Sequence, residues 1–121
     1  MHIAYWIVAA LLALFYLYAG GKKLLQSQAQ LRPMMAWVDQ VPMRRVKAIG
    51  GLEVLGALGL VLPPLTGIAA GLAFAAAIGL ALVQIGAMAL HLSRGEARLV
   101  GLNVGVLVTA GATVWLATVW L

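Results

Sequence analysis

The chain has 121 residues, a formal charge of +5 and no cysteine; 64% of its residues are hydrophobic and 9% are charged, giving a mean hydropathy of +1.06. One domain of this size has no water-soluble way to bury so much apolar side chain, so the composition excludes a soluble globular protein and points to a single membrane domain over residues 1–121. The missing cysteine excludes a disulfide, a haem thioether, an iron–sulfur thiolate site and a thiol redox cycle within the chain.

The first apolar run, residues 3–21, ends at Gly20-Gly21 and is followed by Lys22-Lys23. As a helix it is roughly 28 Å long, enough to cross the hydrocarbon layer. A secretory signal peptide carries its positive charge ahead of the apolar core, and here the charge follows, which favours a retained helix. The long connection that comes next opens with the polar tract QSQAQ and continues with Met34, Met35, Trp37, Val38 and Val41 between and around Pro33 and Pro42. Two readings stay open for it: a short interfacial element with Trp37 among the headgroups, or a loop with apolar residues in it.

The second span is predicted over 46–62, ending before Pro63-Pro64, which are expected in a tight turn because proline cannot donate the helical hydrogen bond. The third is predicted over 65–90 and the fourth over 99–121. These runs are far longer than the strands of a membrane barrel and lack two-residue alternation, so the expected fold is all-α, a four-helix transmembrane bundle. Gly67 and Gly71, and Gly101 and Gly105, have the small-xxx-small spacing that permits close helix approach. Tyr5, Trp6, Trp115 and Trp120 are expected to form an interfacial belt at one end.

All eight Lys and Arg residues fall in or beside the first and third connections. The positive-inside rule then puts both connections, including the long basic loop, in the cytoplasm and both termini outside. Because the basic residues bracket apolar spans, their electrostatic partner is an anionic lipid leaflet and not nucleic acid.

Glu53 is the one carboxylate inside a span, roughly 8–10 Å from its basic end. A charge at that depth is costly and normally faces a protein interior or an aqueous cavity. Gln84 on the third span, Asn103 on the fourth, His91 at the rim of the third and Tyr16 near the end of the first fall at the same end under antiparallel connectivity. Gln84 and His91, seven residues apart, share one helical face. Gly50, Gly56 and Ala57, at helical offsets from Glu53, leave space for a neighbouring helix. Glu53 therefore either holds a proton or the polar head of a ligand, or serves as a structural helix-to-helix hydrogen bond; Gln84 and Asn103 are open to the same two readings, and His91 is either part of the site or a solvated rim residue. No HExxH, GxGxxG or phosphate-loop motif is present, and the two histidines at opposite ends do not suggest a metal site. No catalytic residue can be assigned, and the residues specify no enzymatic reaction.

The segments YLYAGGKKL (16–24), IGGLEVLGALGLVLPPLTG (49–67), IGA (85–87) and HLSRGE (91–96), followed by Asn103, make the chain resemble the DoxX-like family of small four-helix membrane proteins. The likeness covers nearly the whole chain and keeps the order of these segments. It implies a compact four-helix membrane domain in the bacterial inner membrane and adds weight to Lys23, Glu53, His91, Glu96 and Asn103. It also implies an association with quinone and thiosulfate oxidation or with membrane redox partners, although many of the family's proteins have no established activity.

Three functions follow as expectations. The first is a membrane protein binding a lipophilic molecule, a quinone or related lipid, with its head at Glu53; any redox work would come from that bound molecule or from a membrane-protein partner. The second is a proton-coupled small-molecule transporter working as a homo-oligomer. It resembles the small multidrug-resistance transporters in size but has its acid on the second helix instead of the first. The third is an accessory or assembly subunit of a membrane complex.

Overall fold

The computed structural model describes residues 2–33, 35–39 and 41–121. Met34 of the long connection lies outside the described residues, as does the side chain of Arg98. The helices are α1 (His2–Leu25), α2 (Gln28–Leu31), α3 (Met43–Thr66), α4 (Leu72–Ser93) and α5 (Ala97–Leu116), with single 3-10 turns at Ala36–Asp39 and Ala117–Trp120. Helix α1 packs on α3, α3 on α4, α4 on α5, and α5 returns to α1, closing an antiparallel four-helix ring. The seam between α1 and α5 is the least extensively packed of the four.

Helices α1, α3 and α4 and the segment Val100–Trp120 are each long and apolar enough to cross a membrane, yet only 22–39% of the most apolar stretch of each is buried inside the protein. The remainder, including Leu11, Leu52, Leu82 and Val108, faces outward and meets lipid. The interior is lined largely by alanines such as Ala9, Ala57, Ala77 and Ala110, which let the helices come close where dispersion, and not the hydrophobic effect, holds them together.

Closest approach occurs where α1 crosses α3. A Cβ added to Gly50 would lie 2.8 Å from the Gly20 carbonyl oxygen, and one added to Gly20 would lie 2.7 Å from the Gly50 oxygen. Gly56 and Gly59 perform the same service against Leu80 and Ala76 of α4. The glycines singled out by their spacing act differently. Gly67, at φ 75°, is the left-handed cap that ends α3, whereas a Cβ at Gly101 or Gly105 would meet nothing within 4 Å.

The two prolines correct the expected boundary. Pro63 and Pro64 lie inside α3, which runs on to Thr66, and the next helix starts at Leu72 and not at residue 65. Pro64 leaves the Leu60 carbonyl without its usual i+4 donor. The hydroxyl of Tyr5, buried on α1, donates to that same oxygen at 2.5 Å, so the lost bond is replaced across the bundle. Three of the four aromatics expected in a belt, Tyr5, Trp6 and Trp120, pack edge to face around one another, and Trp115 alone of the four is exposed.

Gly50→Val is expected to lower stability by about 1–3 kcal/mol, since the obstacle is backbone, while Gly51→Ala, whose added carbon meets nothing within 4 Å, is neutral or stabilising; thermal unfolding in detergent checks both. Tyr5→Phe is expected to cost about 1–2 kcal/mol by stranding the Leu60 oxygen. In a Pro64→Ala background, which restores the helical donor, a double-mutant cycle should show most of that cost gone.

Candidate functional site

The glycine crossing also delivers the charges. Lys23 follows Gly20 by three residues and Glu53 follows Gly50 by three, so on each helix the charge rises from the face that the glycine brings into contact. Lys23 Nζ donates to Glu53 Oε1 at 2.5 Å, with side chains 9% and 4% exposed. Opposite charges held in contact relieve each other's desolvation, which neither could bear alone at this depth. The indole of Trp37 lies 5.8 Å from Lys23 Nζ and offers the ammonium its π face.

Tyr16, fully buried on α1, donates its hydroxyl toward the Leu80 carbonyl and Gln84 Oε1, each at 3.1 Å. This holds the Gln84 amide in one orientation and leaves its Nε2 buried without a partner among the described residues. Asn103 Nδ2 on α5 is in the same condition. Gln84 is 3% exposed and Asn103 8%, so neither nitrogen has ready access to bulk water. A buried unpaired donor costs about 1–3 kcal/mol, and two beside one cavity call for an acceptor.

His91 closes the end of α4. Its Nδ1 lies 3.2 Å from Glu96 Oε1, and Arg94 Nε donates to the same oxygen at 2.7 Å. These hydrogen bonds, Arg94 first and His91 second, hold the Glu96 carboxyl below the usual carboxylate range.

Between these groups lies a cavity of about 460 Å³ bordered by Lys23, Glu53, Gln84, His91 and Asn103, with the rest of its wall mainly apolar. Its size falls within the roughly 300–1,000 Å³ of ordinary small-molecule sites. Tyr16 does not border it and stands behind Gln84. Among the described residues no group of three or more His, Cys, Asp or Glu is placed to hold a metal ion.

The long connection forms the roof. Met35, Trp37 and Val41 line the cavity, while Leu31, Trp37, Val38 and Val46 form a separate buried cluster above it. Trp37 is thus folded inward against the cavity. The roof is pinned by a capping box between Ser27 and Gln30, by Arg32–Asp39 at 3.0 Å and by Lys47 Nζ on the Leu24 carbonyl at 2.8 Å. The S-x-x-Q spacing of Ser27 and Gln30 is legible in the sequence and could have revealed the first turn of this roof. The repeated glycine-pair-then-charge pattern at 20–23 and 50–53 could have paired Lys23 with Glu53. Nothing local marks Met35 and Val41 as lining residues.

Comparison with known proteins gives one match. The model of the DoxX-like family aligns with residues 7–113, reaching into all four long helices. Searches among curated proteins and among solved structures found no match to the chain. An alignment of that extent, on four helices apolar enough to cross a bilayer, shows that the chain belongs to the DoxX-like family as an integral membrane protein.

Proposed function

We propose that this protein binds a lipophilic ligand, a quinone or a related lipid, whose polar head rests against Lys23 and Glu53, and that it serves as a component of a membrane redox system. The observation that carries this reading is a buried ion pair set in the wall of a largely apolar cavity, beside two amide nitrogens without a partner among the described residues. A carbonyl head suits that donor set: Gln84 Nε2 and Asn103 Nδ2 donate to it, and Tyr16 keeps the first of them aimed. A head of zero net charge suits it as well, because Lys23 and Glu53 already neutralise each other.

A quinone, when bound, supplies coupled electron and proton uptake. This chain's residues bind and orient the head, keep bulk water away under the Trp37 roof, and hold protons: one shared between Lys23 Nζ and Glu53 Oε1, with Nε2 of His91 a further accepting atom nearer the aqueous end, its Nδ1–H being donated to Glu96 Oε1. With no cysteine in the chain, electrons arrive through a membrane-protein partner. The basic end, with its roof, faces the cytoplasm and both termini lie outside, in a bacterial inner membrane. The pairing of Glu53 favours ligand binding over proton-coupled transport, since the carboxylate already holds a cation.

The test is binding of a decyl-tailed benzoquinone to detergent-solubilised protein, followed by tryptophan quenching, together with extraction of lipids retained on purification. Glu53→Gln should weaken binding by about tenfold or more, as expected for loss of a charge-assisted contact, with four-span insertion intact. Because that variant strands a buried lysine, Lys23→Met/Glu53→Gln is made alongside, and it should keep the bundle folded and remain defective in binding. Wild-type affinity in the folded double variant would make the pair an architectural tie and sink the reading.

A further inference from the structure

We infer that the cavity opens sideways into the bilayer between α1 and α5, and that the groove along this seam holds the hydrocarbon tail of the ligand whose head is bound at Lys23 and Glu53. The inference rests on the ligand-binding reading above and adds the shape of the ligand and its route of entry.

Three observations carry it. The groove, formed by Leu11, Leu12 and Phe15 of α1 and by Gly101, Gly105 and Val106 among others on α5, shares two wall residues, Phe15 and Leu102, with the main cavity. The two spaces are therefore neighbours across a single pair of side chains. Second, α1 and α5 run antiparallel, so descending numbers on α1 and ascending numbers on α5 lead in the same direction. From Lys23 to Leu11 the path runs roughly 18 Å along the helix axis, away from the charged end, the length of an extended alkyl or isoprenoid segment and not of a compact ligand. Third, the floor is bare. Carbons added at Gly101 or Gly105 would meet nothing within 4 Å, and the one hydroxyl there, Thr109, is bonded to the Gly105 carbonyl at 2.9 Å, so the groove makes no polar demand on what fills it.

The other faces of the cavity are less permissive. The Trp37 roof closes the charged end, and the α1–α3 crossing is in backbone contact. Among the described residues, only the α1–α5 seam is both thinly packed and bordered by the cavity. Gln84 and Asn103, which border the cavity and whose buried amide nitrogens have no partner among the described residues, supply the polar anchor at which such a tail would begin. The ligand class is thus an amphiphile with a small uncharged acceptor head and one linear apolar chain, entering from the lipid and not from water.

The probes are the tailless ubiquinone head and the same ring carrying a decyl tail, each titrated against the wild type, Gly101→Leu, Gly105→Leu and a control, Gly79→Leu, which places equal bulk on an exposed glycine of α4. Filling the groove should weaken the tailed probe by about tenfold through lost packing contacts with the tail, and leave the tailless head and the control unchanged. Equal affinity of the tailed probe in all four proteins overturns the groove while leaving the head site standing. Binding of neither probe to the wild type overturns both. A decyl tail ending in a photoreactive diazirine provides a measurement free of mutation: labelling of Leu11, Leu12 or Val106 supports the groove, and labelling confined to Met35 and Val41 of the roof overturns it.

Discussion

The structure turns on one contact, the ion pair of Lys23 and Glu53 at the place where α1 and α3 touch backbone to backbone. Two charges in the apolar interior of a membrane bundle are tolerable only in contact, and contact needs the helix axes close. Gly20 and Gly50 give that closeness because neither has a carbon to hold the helices apart. The same crossing sets the spacing of the rest of the ring. With α1 and α3 drawn together, α4 packs through Gly56 and Gly59, and α5 is left to close the circle along a looser seam.

That unequal packing has chemical consequences. A tight α1–α3 edge and a loose α1–α5 edge leave a void on the side where Gln84 and Asn103 stand, and the void inherits the ion pair as part of its wall. Tyrosine hydroxyls recur in the supporting structure. Tyr5 satisfies the carbonyl orphaned by Pro64, and Tyr16 secures the Gln84 amide. Both act from α1, so this helix positions the site as well as contributing Lys23 to it. At the charged end, the Ser27 capping box and the Arg32–Asp39 pair convert a polar-looking connection into a roof that keeps water from the ion pair.

The four spans were legible because a bilayer imposes one rule on every residue of a crossing helix: be apolar, or have a partner. Glu53, Gln84, His91 and Asn103 stood out as exceptions to that rule, and they border one cavity. The proline pair misled because the loss of a backbone donor was judged within its own helix, whereas the replacement donor is Tyr5, fifty-five positions away in the chain. Trp37 admits two readings in the sequence for a like reason: amphipathic aromatics favour membrane interfaces in general, and only the folded loop brings this one over a buried ammonium.

The sequence by itself determined the class of fold, the number of spans and the level in the membrane at which polar groups occur, since these depend on composition and on the fixed rise of a helix. Tertiary structure alone decided which of those groups touch. Whether Glu53 meets Lys23, whether an amide is satisfied or left waiting, and which seam stays open all depend on how far apart two axes settle, and that distance is set jointly by side chains from helices remote in the chain.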